Sequence, residues 1–228
     1  MHQDSDRNFR IFRDRHEAGR LLGAELERTY EGADAVVLGL PRGGVPVAFE
    51  VAQRLGAPLD VLVVRKLGAP FNPELAIGAI ARGGVRVVDS DSIAYLDIEP
   101  DAIERILFRE QTELERRERL YRAGKPPLDL RGKTAILVDD GIATGSTMEA
   151  AVLAARAGGA AKVVAAAPTA SRDACVMLRR SADAVEVLAI PEPYIAVGAW
   201  YAAFPQLEDE EVIELLARCD ASPQRAGE

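Results

Sequence analysis

The chain has 228 residues, 48% hydrophobic and 28% charged, the proportions of a folded globular protein and not of a disordered tail, a collagen-like fibre or a disulfide miniprotein. Its 28 Lys and Arg against 36 Asp and Glu give a net charge of −8, which speaks against sequence-independent nucleic-acid binding but leaves room for one small basic pocket. Cys175 and Cys219 are too few and too isolated for a disulfide framework or a zinc site. No apolar run spans a bilayer, and residues 1–15 lack the apolar core of a secretory signal, so no membrane partner and a cytoplasmic location are expected.

Residues 1–11 and 219–228 read as flexible ends of a domain running over 12–218. From 14 to 30, Ala18, Leu21, Leu22 and Leu26 recur at helical spacing, with Asp14 as a suitable N-cap. Residues 35–40 are a continuous apolar run, the pattern of a strand covered on both faces. A helix over 45–55, stopped by Gly56 and Pro58, and a strand over 59–64 complete a crossover unit that implies parallel pairing. Residues 67–74, with two prolines and a glycine, read as an irregular loop; 76–81 and 85–88 read as a hairpin about Arg82-Gly83-Gly84.

Residues 99–122 are rich in Glu and Arg, with Glu113/Arg117, Glu115/Arg119 and Glu118/Arg122 at the i,i+4 spacing that supports a helix. Ile103, Leu107, Leu114 and Tyr121 give it a narrow seam, so a largely solvated helix docked by one stripe is predicted within an insertion over 99–124. After Pro126-Pro127 the alternation resumes: strand 134–139, helix 146–157, strand 162–167, helix 171–180, strand 184–190, an aromatic-rich tail and a closing helix over 208–218. An α/β fold with a parallel twisted sheet flanked by helices follows.

The strongest chemical signal is Val138-Asp-Asp-Gly-Ile-Ala-Thr-Gly-Ser-Thr147. A buried strand delivers Asp139 and Asp140 to its carboxyl end, where open α/β sheets collect ligands. The small residues that follow open a helix whose first N–H groups suit an anion. Thr144, Ser146 and Thr147 add hydroxyl donors, and the absence of a Lys counts against a Walker-type loop. Gly39-Leu-Pro-Arg-Gly-Gly44 follows the first parallel strand as a compact loop of main-chain donors and one cation. Arg65-Lys66 supplies further positive charge.

The acidic pair with its Ala-Thr-Gly-Ser-Thr turn resembles the signature of the type I phosphoribosyltransferases, which use 5-phosphoribosyl 1-pyrophosphate (PRPP). The likeness extends over roughly residues 12–216. It implies the type I phosphoribosyltransferase fold, with an inserted charged helix and a C-terminal hood over 191–207. It also implies transfer of the phosphoribosyl group to a nitrogenous base with release of pyrophosphate. On it, Asp139 and Asp140 hold the ribose hydroxyls and Mg²⁺, while Gly141, Ile142, Ala143, Thr144, Gly145, Ser146 and Thr147 hold the 5′-phosphate. Pro41, Arg42, Gly43, Gly44, Arg65 and Lys66 hold pyrophosphate, with Arg42 and Lys66 joining the acidic pair as the catalytic set.

A lid carrying Gly68, Asn72 and Glu74 is expected to exclude water, Glu74 being a candidate proton handler. Tyr194, Trp200 and Tyr201 are the candidate base contacts. Gly141 departs from the pattern, an aliphatic residue being usual there, and is expected to alter loop flexibility. Ala143 stands where 6-oxopurine enzymes carry an aspartate; the Asp-Asp-x-x-Ala-Thr-Gly-x-Thr run looks more like adenine enzymes. A homodimer acting on PRPP and a nucleobase, with no nucleic-acid partner, is implied. The alternatives are a non-catalytic PRPP- or nucleotide-binding regulatory module and a structural partner built on the charged helix.

Overall fold

The computed structural model describes residues 11–81, 85–88, 90–125 and 128–221. The turn at Arg82-Gly83-Gly84, Pro126-Pro127 and most of both expected flexible ends lie outside them.

Five parallel strands form the main sheet in the order β2-β1-β6-β7-β8, from β1 (Ala35–Gly39), β2 (Leu59–Val61), β6 (Thr134–Val138), β7 (Lys162–Thr169) and β8 (Ala184–Ala189). Alternate side chains go to opposite faces, and both faces are buried. Val37, Ile136 and Val138 join Leu22 and Leu26 of α1 (Arg15–Tyr30), Val47 and Val51 of α2 (Gly44–Leu55) and Leu216 of α7 (Asp209–Ala221). Val36, Leu38, Ala135 and Leu137 join Met148, Ala151 and Ala155 of α5 (Ser146–Ala157) and Leu178 of α6 (Arg172–Leu178). Cover on both sides is why these strands read as unbroken apolar runs. The carboxylate of Asp14 accepts from the Glu17 N–H at 2.7 Å, capping α1 as expected.

The segment after β2 departs from expectation. β2 ends at Val61, and a separate antiparallel sheet follows, made of β3 (Val64–Ala69), β4 (Asn72–Ala81) and β5 (Val85–Val88). Residues 67–74 are therefore a hairpin turning at Pro70 and Phe71, not an irregular loop. Proline and glycine mark loops but equally suit a turn and a bulge, and the register shifts on both sides of Gly68. Leu67, Ala69, Ile77 and Ile80 are buried against the main core. A short α3 (Ser90–Tyr95) follows, too brief to carry a periodic signal.

The charged helix α4 (Pro100–Arg122) docks through Ile106, Leu107, Leu114 and Tyr121, with Ile103 packed at the margin. Polar ties reinforce the seam. Arg122, 6% exposed, grips Asp60 of β2 through Nε and Nη2 at 2.8 and 2.6 Å, and the Tyr121 hydroxyl donates to Asp209 of α7. Removing one partner of a buried pair strands the other charge, so Arg122→Ala is expected to cost about 3–5 kcal/mol in chemical denaturation. An unchanged midpoint would show that α4 is held by its apolar stripe alone.

Candidate functional site

The strand order reverses between β1 and β6: β2 lies beyond one, β7 and β8 beyond the other. The loops leaving their carboxyl ends part at this point and open a crevice. Gly39 and Val138 are paired across it, and the Leu40 N–H donates to the Val138 carbonyl at 2.9 Å. Two glycines let the loops touch. A Cβ on Gly44 would lie 2.3 Å from the Val138 carbonyl oxygen, and one on Gly43 2.1 Å from Asp140 Oδ2. The Pro41–Arg42 peptide bond in the first loop is cis.

The adjacent acids have different surroundings. Asp139 keeps a partly exposed face at the strand end, and its Oδ1 accepts from the Asp140 N–H at 2.9 Å. Burial among protein atoms, then the neighbouring charge of Asp140, push its carboxyl well above the usual carboxylate range. Asp140 is buried and ion-paired with Arg15, Nε to Oδ2 at 2.8 Å. Burial raises its pKa too, while Arg15 pulls the other way. Arg15, 8% exposed, also donates to the Pro205 carbonyl and lies 3.7 Å from the centre of the Phe204 ring. Its contact with Asp140 joins residues 125 apart in sequence.

The loop beyond the acids is pinned at its base and open at its rim. The Ile142 N–H donates to Thr169, the Ile142 carbonyl accepts from the Ser171 N–H, and the Ser171 hydroxyl donates to the Ala143 carbonyl. Ala143, Thr144 and Thr147 are exposed, and the Thr144 and Ser146 hydroxyls share a hydrogen bond at 3.2 Å. Gly145, at φ +82°, leads into α5, which begins without a side-chain cap. The Ser146 N–H makes a long contact, 3.5 Å, with Thr144 Oγ1, and the N–H groups of this first turn suit an anion.

Gly141 has a steric role. Its φ is not in the left-handed region, but a Cβ there would lie 2.5 Å from Val197 Cγ1. Gly141→Val is expected to push the segment carrying Val197 outward and to cost about 1–3 kcal/mol. Val197→Ala should recover part of the loss in a double-mutant cycle; additive effects would disprove the contact.

The segment over 191–207 crosses above these loops. Its 3₁₀ turn (Val197–Trp200) leads to a bridge between Phe12 and Tyr201. Tyr194 and Trp200 sit side by side with ring centroids 6.2 Å apart, and the Tyr194 hydroxyl shares a hydrogen bond with Thr169 at 3.1 Å. Tyr201 is buried beside Phe12 and Phe204 and donates to the Asp140 carbonyl at 2.6 Å. Of the three candidate base contacts, Tyr194 and Trp200 are half-buried, Trp200 packing against Phe12 and Tyr201, and Tyr201 holds the segment to the acidic loop.

On the hairpin side lies a cleft of about 410 Å³ bounded by Pro41, Arg65, Lys66, Gly68 and Thr147, with Arg109, Glu110 and Arg117 of α4 closing it. The structure thus brings together the loop after β1, the Arg65-Lys66 pair and the first turn of α5. Arg42 points elsewhere: its Nη1 donates to the Leu207 carbonyl at 2.5 Å and approaches Glu208 at 3.5 Å. Gly68 and Asn72 belong to the β3–β4 hairpin, as does the backbone of Glu74, whose side chain lies outside the described atoms.

Sequence reasoning passed over Arg15 and the polar residues of α4. Each had a signal. Arg15 falls in register with Ala18, Leu22 and Leu26 on the buried stripe, and Glu110 lies between Leu107 and Leu114 on the seam. A charge on an apolar stripe marks a buried ion pair.

The sequence matches the Phosphoribosyl transferase domain over residues 14–198. It is 48% identical over 218 residues to a protein in two strains of Mycobacterium tuberculosis whose name provisionally makes it a phosphoribosyl transferase. That alignment covers 96% of this chain and 49% of the relative, so the chain spans about half the length of the curated relatives it matches. Among solved structures it superposes on TT1426 from Thermus thermophilus with a TM-score of 0.83 and 44% identity, over 91% of this chain and 98% of that one. With a parallel sheet, a switch-point crevice and an acidic pair above a helix N-terminus, the chain belongs to the phosphoribosyl transferase family.

Proposed function

We propose that this chain binds PRPP at the switch point and transfers its phosphoribosyl group to a nitrogenous base. One observation supports the reading: Pro41 of the loop after β1, the Arg65-Lys66 pair and Thr147 at the start of α5 line one cleft, and the acidic pair follows the carboxyl end of β6, from which the chain runs into α5. In this reading the loop 141–147 holds the 5′-phosphate and Asp139 accepts from the ribose hydroxyls. Main-chain groups of 41–44 with Arg65 and Lys66 face pyrophosphate, and Tyr194 and Trp200 cover the base. A base nitrogen lone pair forms the bond to C1 as the bond to pyrophosphate breaks, its electron pair leaving with that anion and the nitrogen's proton passing to pyrophosphate or solvent. Fixed cations stabilise the charge that develops there.

The family implies Mg²⁺, and the donor set fits it. Among the described residues no cluster of three or more metal-ligating side chains exists. Mg²⁺ characteristically takes one or two carboxylates and completes its shell with water and substrate phosphate. Asp139, and the Asp140 oxygen not held by Arg15, are the carboxylates for that role. When bound, the ion neutralises charge on the departing pyrophosphate.

The test is pyrophosphate release with Mg²⁺ and PRPP across a panel of purines and pyrimidines. Wild type should exceed the Asp139→Asn/Asp140→Asn double variant; equal backgrounds on every base would overturn the transferase reading. The tie of Arg42 to Leu207 favours a second reading, a regulatory module that binds PRPP without turnover. Calorimetric PRPP binding without product would select it. No helix among the described residues is long and apolar enough to cross a membrane. A cytoplasmic homodimer accompanies the proposal.

A further inference from the structure

The inserted helix α4 does more than cover the core. Its buried carboxylate Glu110, 6% exposed, divides its oxygens between two arginines. Oε2 receives Arg65 of β3 through Nε at 2.8 Å and Nη2 at 2.6 Å, and Oε1 receives Arg109 Nε at 2.9 Å. Two turns on, Arg117 is held through Nε by Glu113 at 2.7 Å. In Arg109 and Arg117 only Nε is hydrogen-bonded among the described residues, so their terminal N–H groups remain for a ligand. Both line the cleft, opposite Pro41 and Thr147 of the two switch-point loops.

The balance of charge is unusual for this molecule. The cleft wall holds Arg65, Lys66, Arg109 and Arg117 against Glu110, whereas the whole chain carries −8. Cations gathered in a concave site focus the field on an anion. Planar guanidinium forks fixed by a carboxylate suit the paired oxygens of phosphate groups, with less entropy left to lose on binding. A cleft of about 410 Å³ also exceeds what a single phosphate fills. Meanwhile Arg42, the cation expected to face pyrophosphate, is tied to Leu207 at the approach to α7.

We propose that Arg109 and Arg117 of the inserted helix are anion-binding residues of this cleft, which takes a diphosphate group, with Glu110 positioning Arg109 and Arg65. The proposal rests on the reading above for the identity of the diphosphate but not for its existence. Calorimetry with inorganic pyrophosphate, PRPP and inorganic phosphate separates the sources. Inorganic pyrophosphate should bind wild type. Arg109→Gln/Arg117→Gln should weaken it about tenfold or more, and Arg109→Lys/Arg117→Lys should recover most of the loss. Arg116→Gln, on a neighbouring arginine outside the cleft wall, should change it by less than about twofold.

Circular dichroism and the thermal midpoint confirm that each variant is folded, and the charge-retaining pair guards against a folding artefact. Undiminished pyrophosphate binding by Arg109→Gln/Arg117→Gln, or none by wild type, overturns the inference and leaves the PRPP reading to its own assay. Binding of pyrophosphate that depends on Arg109 and Arg117, without PRPP binding, upholds the inference and sinks the PRPP reading. Equal affinity for inorganic phosphate and pyrophosphate would refute a diphosphate site.

Discussion

Asp139→Asn and Asp140→Asn are each expected to slow nucleotide formation by roughly 100-fold or more, the scale on which a preorganised electrostatic group contributes, yet to move stability in opposite directions. Burial and the charge of Asp140 raise the Asp139 pKa far above its ordinary value of 3.8. The folded chain therefore holds this proton more tightly than the unfolded one. The associated stability is fully present below the unfolded pKa and disappears as pH rises through the folded one. The penalty for ionising the folded group therefore grows as pH rises above the ordinary carboxylate range, and asparagine removes it. Asp139→Asn should raise the thermal midpoint at pH 8, and the gain should shrink at pH 5, where the wild-type carboxyl is more nearly protonated.

Asp140→Asn does the reverse. It leaves Arg15, 8% exposed, without its carboxylate partner, and stranding a buried charge costs about 3–5 kcal/mol. With about 2–4 °C per kcal/mol for a chain of this size, the loss is easily read by calorimetry at pH 5 and 8. A lower midpoint for Asp139→Asn at pH 8 would contradict the electrostatic account of the pair. So would an unchanged midpoint for Asp140→Asn. Neither acid is interchangeable with the other: Asp139 keeps a partly exposed face at the end of β6, and Asp140 locks α1 and the 201–205 strap to the loop.

How far the sequence foretold this arrangement depended on whether its signals were local. The strands β1, β6 and β7 were legible because burial on both faces leaves no polar residue to interrupt them. α5 was legible to the residue because Gly145 and Gly158 bound it. The hairpin β3–β4 was not, since a turn at Pro70 and a bulge at Gly68 use the same residues that mark an irregular loop. The loop after β6 announced its acids and small residues, but not their partners. Arg15 reaches Asp140 across the length of the fold, and α4 brings Arg109 and Arg117 to the cleft through an insertion whose alternating charges resemble an ordinary solvated face. Arg42 shows the converse: sequence position placed it beside the crevice, and rotation of one side chain tied it to Leu207.

The glycines of the first loop bear the sharpest steric demand in the site, and Gly44→Ala is expected to destabilise the chain by about 3 kcal/mol, a fall of roughly 6–12 °C. Local preference predicts the opposite. Gly44 is the first residue of α2 and its φ is not positive, so alanine is conformationally acceptable and favours the helix by about 1 kcal/mol. Space decides the sign. The new methyl would meet the Val138 carbonyl oxygen at 2.3 Å, Asp139 Cα at 2.8 Å and Val138 C at 3.1 Å, all backbone of β6 and its exit. β6 is bonded to β1 on one side and β7 on the other, so it cannot yield, and α2 must move away from the crevice.

Gly43→Ala separates fit from function. Its clash at 2.1 Å is with the end of the Asp140 side chain, which can swing aside only by releasing Arg15. Activity should therefore suffer more than the fold. Gly132→Ala serves as the reference for conformational cost alone: it has φ +74° with nothing within 4 Å of the added carbon. Its penalty should be about 1–2 kcal/mol. If Gly44→Ala melts no lower than Gly132→Ala, the two switch-point loops are not in contact, and the crevice they define is wider than described.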